Sequence, residues 1–224
     1  MEGESHKLTD PDENNLRTLA KAYYVAKEAV IRWGFGDELD WQYNVSLDLL
    51  TENDFLREAA WVILSSGMSE RVIRLKFPGV SRAFYDWTSA ERIVANAPDC
   101  KAEAFNHFRH SMKIDAVITL ATHICERGFS SVRQRVTEDG VLYLSQFPFL
   151  GPATSYHLAK NIGLAVAKPD RHLKRIALTL GYRSVQHLCA DISTITDEPV
   201  PIVDLVLWRF AVHQSRYLRR LSKS

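Results

Sequence analysis

Nowhere in this chain do apolar and polar residues alternate cleanly over the length of a strand; apolar residues recur three and four positions apart almost from end to end. That period puts them on one stripe of a helix, whereas a half-buried strand needs a period of two. The run 15–33 is typical: Leu16, Leu19, Ala20, Tyr23, Tyr24, Ala26, Val30 and Ile31 recur at helical spacing, and Gly34 and Gly36 stand where the helix is expected to end. A loop through Trp41–Asn44 follows. Thr51 or Asn53 is placed to cap a helix reaching about Leu64, and Ser69 to cap Glu70–Tyr85. Ser89–Ala95 is short and stops at Pro98. Ala102–Arg127 reads as one helix or two, with Gly128 after it. Ser130–Glu138, Val141–Gln146, Pro152–Ile162, Asp170–Leu180, Val185–Ile195 and Val200–Arg220 complete an all-α fold.

A length of 224 residues fits one large domain or two small interleaved lobes with a sizeable core. No apolar run approaches a membrane span, the best being Val203–Trp208. Met1–Asn15 is polar and acidic, which fits a frayed tail better than a signal or transit peptide. The 3 cysteines, Cys100, Cys125 and Cys189, are far apart and form no C-x-x-C pair. A disulfide framework or zinc site is therefore not expected, a four-cysteine iron–sulfur cluster is excluded by count, and a reducing cytoplasm is the natural setting. Net charge is only +1, yet residues 1–60 hold 6 Lys and Arg against 13 Asp and Glu, while residues 101–224 hold 17 against 10. A basic C-terminal half suits a polyanionic partner, or is simply a solvated surface.

The most informative stretch is Tyr143–Gly181, YLSQFPFLGPATSYHLAKNIGLAVAKPDRHLKRIALTLG. A short helix ends near Gln146, and Phe147-Pro148-Phe149-Leu150-Gly151 turns straight into the next. Pro152 suits the first helical position, where its missing N–H is not needed. Gly151 lets another backbone approach closely, and Gly163 is a natural C′ residue. Such a turn leaves the amides of Ala153 and Thr154 pointing outward, ready for a phosphate or for water. A backbone contact of that kind positions DNA without reading its sequence.

This stretch resembles the hairpin of the helix-hairpin-helix DNA glycosylases of the endonuclease III superfamily, whose pattern runs L-P-G-V-G with a Thr-Ala shortly after. Phe147, Pro148, Leu150, Gly151 and Thr154 fall on matching positions, with Ser155 beside the family's Ala. The family's catalytic aspartate lies about twenty residues past the second glycine, before a basic helix; here Asp170 lies nineteen past Gly151, within Lys168-Pro169-Asp170-Arg171-His172-Leu173-Lys174-Arg175. Within the superfamily the chain is most similar to the archaeal-type 8-oxoguanine DNA glycosylases. Its Thr154–Gly163 helix, its Asp170-Arg171-His172 and its Asp204-Leu205-Val206-Leu207-Trp208 resemble theirs, as do Phe108-Arg109 and Lys113-Ile114. Ile63-Leu64-Ser65-Ser66-Gly67 falls where those proteins insert a turn into the DNA. The resemblance spans about Phe55 to Phe210. Two departures stand out: Phe149 replaces the first hairpin glycine, so the local turn is expected to differ, and Ala153 occupies the position of the nucleophilic lysine of bifunctional members.

The resemblance implies two helical lobes with an active-site cleft between them. Residues 1–52 bring an N-terminal helix to the C-terminal lobe, 53–163 form a lobe ending in the hairpin (143–163), and 164–224 form the C-terminal lobe with Asp170 at the mouth of the cleft. Asp170 is the implied catalytic carboxylate, since breaking an N-glycosidic bond leaves an oxocarbenium-like sugar that an ionised carboxylate stabilises. As a bare residue, Asp170 is equally suited to capping a helix. Lyase chemistry needs an amine, which Ala153 does not supply, so a monofunctional enzyme is expected; Lys160 and Lys168 read as surface charges rather than substitutes. Gly151, Ala153, Thr154, Ser66, Gly67, Arg171, His172 and Lys174 are the implied DNA contacts. Asp204 and Trp208, one helical turn apart, and Trp61 are implied borders of a pocket for a flipped base. Packing alone places Trp41, Trp61 and Phe105 in the core. A structural K+ or Na+ held by the carbonyls of Ser145, Phe147 and Leu150 is also implied, with no cofactor for catalysis. The expected partner is duplex DNA containing a modified base, 8-oxoguanine or another modified purine. No membrane partner is expected, and the setting is a cytoplasmic, nucleoid-associated monomer. A non-catalytic DNA-binding module built on the same hairpin is the alternative, and a helical scaffold for protein partners a third reading.

Overall fold

A computed structural model describes residues 13–221, and every regular element among them is helical. The acidic tail expected over Met1–Asn15 lies outside the described residues up to position 12, and from Glu13 the chain is already helix. Two units emerge. The first joins residues 13–39 to 171–221, and the second is the continuous stretch Asp40–Asp170. The boundaries expected at 52/53 and 163/164 therefore move: residues 40–52 and 164–170 belong to the second unit, and Asp170 is its last residue. No described helix is long and apolar enough to cross a membrane.

In the first unit, α1 (Glu13–Val30) runs into a π-helical turn, Ile31–Phe35, and then into α2 (Gly36–Tyr43), whose residues from Asp40 onward belong to the second unit. Gly34 takes a φ of 89°, so it kinks the chain where the sequence suggested an end, and the loop expected through Trp41–Asn44 is helical as far as Tyr43. The rest of the unit is α10 (Arg171–Thr179), α11 (Val185–Thr196), α12 (Val200–His213) and α13 (Tyr217–Leu221). Helix α12 is buried along nearly its whole length, from Pro201 to Ala211, as its continuous apolar sequence requires. Helices α1, α10, α11 and α13 pack against it. The single helix expected over Val200–Arg220 breaks in two: Gln214, at φ −97° and ψ 109°, leaves the helical conformation, and Arg216 follows with a left-handed φ of 64° before α13 starts. Tyr24 donates to the Thr196 carbonyl (3.2 Å), and Lys27 pairs with Glu198, tying α1 to the end of α11.

In the second unit follow α3 (Glu52–Ser65), α4 (Glu70–Ala83), α5 (Ala90–Ala95), α6 (Ala97–His107), α7 (Ser111–Arg127), α8 (Phe129–Leu144) and α9 (Thr154–Asn161). Thr51 caps α3 by accepting from the Asp54 amide, and Ser89 caps α5 by accepting from that of Arg92. The short helix α5 ends at Ala95 as expected, and Pro98 sits in the first turn of the following α6, where its missing N–H is harmless. The two pieces expected over 130–146 are two helical segments of α8 that meet at Gly140, whose backbone is non-helical (φ 51°, ψ −123°). Phe55, Leu56, Ala59, Ala60, Val62 and Ile63 bury α3 against α4, α7 and α9. Each large apolar side chain so buried contributes about 1.5–3 kcal/mol. Trp41 and Phe105, expected in the core, are 39% and 42% exposed.

Gly163 fixes the exit of α9. Its amide donates to the Lys160 carbonyl and that of Leu164 to Ala159, the paired bonds of a Schellman cap. Its φ is 99°, and a Cβ there would lie 2.5 Å from the Leu47 amide nitrogen and 2.8 Å from the Ser46 carbonyl carbon. Gly163→Ala should lower the urea unfolding free energy by about 2 kcal/mol or more, from left-handed strain plus a backbone clash. Gly128→Ala, at φ 77° with open space around its Cβ, isolates the strain and should lose less; equal losses would refute the clash.

Candidate functional site

The hairpin between α8 and α9 is held from within. Phe147 lies edge-on to Tyr143 (5.5 Å between ring centroids) and to His123 (5.0 Å), while His123 and Tyr143 are hydrogen-bonded at 2.8 Å. Leu150 is buried and its amide donates to the Phe147 carbonyl (3.1 Å). Phe149 carries a φ of 65°, the left-handed conformation that glycine adopts freely and a bulky residue does not. The turn thus keeps a glycine-like backbone at Phe149 despite the side chain. The Thr154 hydroxyl donates to the Phe149 carbonyl (2.7 Å), and the Ser155 hydroxyl to that of Gly151 (2.8 Å).

Helix α9 starts at Thr154, two residues later than the sequence suggested, with Pro152 and Ala153 in the turn before it. The first intrahelical bond runs from the Ser155 amide to the Gly151 carbonyl (2.9 Å). Among the described residues, no acceptor meets the amides of Ala153 or Thr154. A Cβ on Gly151 would point into open space, so none of the described residues uses the close approach this glycine permits. From the other end, α9 is anchored by Asn161 donating to Glu58 (3.0 Å) and by Gln42 donating to the Lys160 carbonyl (3.2 Å). Burial raises the Glu58 carboxyl above its ordinary range, with the Asn161 hydrogen bond opposing. Lys160, expected as a surface charge, is buried.

The turn after α3 is held by its own backbone, the Ser66 amide donating to the Val62 carbonyl and the Met68 amide to that of Ser65, and by one side chain from another helix. Lys113 on α7 is 3% exposed, and its ammonium donates to the carbonyls of Leu64 and Ser66. The same ammonium lies 5.7 Å from the Phe149 ring and 6.0 Å from that of Phe108. Lys113 thereby touches both loops that the sequence singled out. Burial pushes its ammonium below the usual lysine range. Beyond this anchor, Gly67 is exposed at a φ of 68°, next to an exposed Met68.

Asp170 is half-buried immediately before α10, and its amide donates to the Lys168 carbonyl (2.8 Å). Lys168 is half-buried rather than a free surface charge, with its ammonium 3.3 Å from Nδ1 of His157 on α9. Burial, with Lys168 and Lys160 nearby, drives the His157 imidazole well below the ordinary histidine range, so it stays neutral and accepts from Lys168. In the first unit, Arg171, Lys174 and Arg175 are exposed on α10, and the His172 ring packs on Tyr217 (5.9 Å).

Also in the first unit, Asp204 is 1% exposed and engaged within the protein, and Trp208 is half-buried. The Arg209 guanidinium lies 4.5 Å from both the Trp208 and Phe35 rings and forms a two-pronged ion pair with Glu38, each bond 2.7 Å. Trp61, in the second unit, packs edge-on against Phe77 (5.1 Å) with Arg74 over its ring. Sequence reasoning missed the roles of Lys113, His157 and Arg209. Lys113 and Arg209 carried a signal, a cation among apolar residues on a helix.

Ser145, Phe147 and Leu150 offer backbone carbonyl oxygens, chemistry that suits a hard cation; the Phe147 carbonyl already accepts one hydrogen bond, and the Ser145 hydroxyl donates to the Leu142 carbonyl. No group of three or more His, Cys, Asp or Glu among the described residues is placed to hold a metal. Compared with known protein families and with curated proteins, the chain matches none of them.

Two outcomes follow. Lys113→Met should cost about 1–3 kcal/mol in urea unfolding, because the Leu64 carbonyl loses its buried donor; an unchanged midpoint would show that water replaces the ammonium. His157 has a depressed folded pKa, so its contribution is fully present above the unfolded value of 6.5 and is lost as pH falls below it, by about 1.4 kcal/mol per pH unit until the folded pKa is reached. Wild type should therefore lose stability between pH 7 and 5 relative to His157→Gln; parallel pH profiles would contradict this.

Proposed function

We propose that the protein is a monofunctional DNA glycosylase, a hydrolase of N-glycosyl bonds that excises a damaged or modified base and leaves an abasic site. The observation that carries this reading is the hairpin: two unbonded amides, Ala153 and Thr154, beside an open Gly151, nineteen residues before an aspartate that opens a cationic helix. The amides and the dipole of α9 take a DNA phosphate. A monovalent cation on the carbonyls of Ser145, Phe147 and Leu150 would add positive charge at the same turn. The Ser66–Gly67 turn, exposed at Gly67, fills the gap left by the flipped base. Trp208 and Trp61 enter as candidate base-contacting residues by the family resemblance alone, whereas Asp204 is buried and engaged within the protein.

In the chemical step, the bond between C1′ and the base nitrogen breaks, and the base leaves with the electron pair. The Asp170 carboxylate stabilises the cationic sugar and orients the water that adds to C1′, while a proton passes to the leaving base. Ala153 offers no amine, so no Schiff base forms there and the abasic strand stays intact. An 8-oxoguanine or other modified purine is the proposed substrate.

The test is single-turnover incubation with labelled duplexes carrying 8-oxoguanine, an alkylated purine, uracil or a mismatch, read with and without alkali. Strand cleavage should need alkali, and Asp170→Asn should slow it at least 100-fold while duplex binding survives. Cleavage without alkali, or a covalent complex trapped by borohydride, would replace the monofunctional reading with a lyase. Binding without excision on any duplex would favour the non-catalytic module.

A further inference from the structure

Helix α13 is the least explained element of the first unit. It packs on α1, α10 and α12, anchored by the buried Leu221 and by the Tyr217 ring against His172 of α10. What it presents to solvent is cationic. Arg216 and Arg219 are exposed, as are Arg171, Lys174 and Arg175 on neighbouring α10. Segments 171–190 and 205–221 contain no Asp or Glu, so neither α10 nor α13 carries a carboxylate of its own to neutralise these charges. Arg216 also holds a left-handed φ of 64°, a conformation that a residue with a side chain adopts only under strain. That conformation ends the connection from α12 and starts α13.

We propose that α13 together with α10 forms a second docking surface for the phosphate backbone of duplex DNA, with Arg216 and Arg219 as contacts additional to the hairpin. The assignment rests on the DNA-binding reading above and extends it from one loop to a second surface. Charge complementarity selects the partner: exposed guanidinium groups on helices that carry no carboxylate match a regular array of phosphates, and bidentate geometry favours arginine there. Contacts of this kind carry no sequence information and are screened by salt.

The experiment titrates a short labelled undamaged duplex with the full chain at several KCl concentrations. Arg216→Ala/Arg219→Ala should bind several-fold more weakly, with the slope of log K against log salt reduced by about 0.9 for each phosphate that is no longer neutralised. Arg216→Lys/Arg219→Lys should restore most of the slope, and Lys21→Ala, an exposed charge on α1, should leave it unchanged. Thermal melting of each variant separates a loss of charge from a loss of fold. A double-alanine slope equal to that of Lys21→Ala overturns the α13 surface while leaving the hairpin reading intact. Wild-type binding to anionic lipid vesicles but not to duplex overturns both. Normal slopes without excision of any modified base leave this surface standing and refute only the glycosylase activity.

Discussion

One buried ammonium holds the candidate site of the second unit together. Lys113 reaches from α7 to two carbonyls at the end of α3 and lies over the ring of Phe149 in the hairpin. A buried cation is tolerated only where acceptors and π-faces replace its water, and the end of a helix offers orphan carbonyls of that kind. Lys113 thus links the Ser66–Gly67 turn, through the Ser66 carbonyl, to the α8–α9 hairpin, through the Phe149 ring.

The hairpin maintains its shape against an unfavourable side chain. Phe149 sits where glycine would be unstrained, and its ring contacts with His110 and Lys113 help offset that strain. Thr154 closes the turn through its hydroxyl. This leaves its amide, rather than its side chain, as the group available to a ligand. The far end of α9 is locked by Gly163 against Ser46–Leu47 and by Asn161 on Glu58. A helix fixed at its C-terminus keeps its N-terminal amides steady.

Much of the secondary structure was legible because capping is local. Thr51, Ser89, Gly128 and Gly163 mark ends through side-chain or backbone geometry that needs no tertiary partner. Misreadings cluster where context overrides local signals. Gly34 and the gap between Glu138 and Val141 suggested breaks, and the backbone does leave the helical conformation at Gly34 and at Gly140; Pro98 suggested the stop of a short helix and falls instead in the first turn of the next one. Trp41 and Phe105 were expected to be buried from hydrophobicity alone, whereas neighbouring elements leave them exposed. Lys160 was expected outside, and lies inside.

By itself the sequence determined the helical class, the position of the hairpin and the nineteen-residue interval to Asp170, because helical period, turn residues and chain distance are written residue by residue. It also determined that positive charge gathers in the C-terminal half, although the net charge is +1. Only the tertiary structure decided that Lys113 would join the end of α3, 47 or more residues away, to the hairpin, that His157 would be neutral beside Lys168, and that Arg209 would pair with Glu38 across 171 residues. Those outcomes depend on which surfaces meet in space, and desolvation on meeting changes the chemistry of the groups involved in ways that no local pattern encodes.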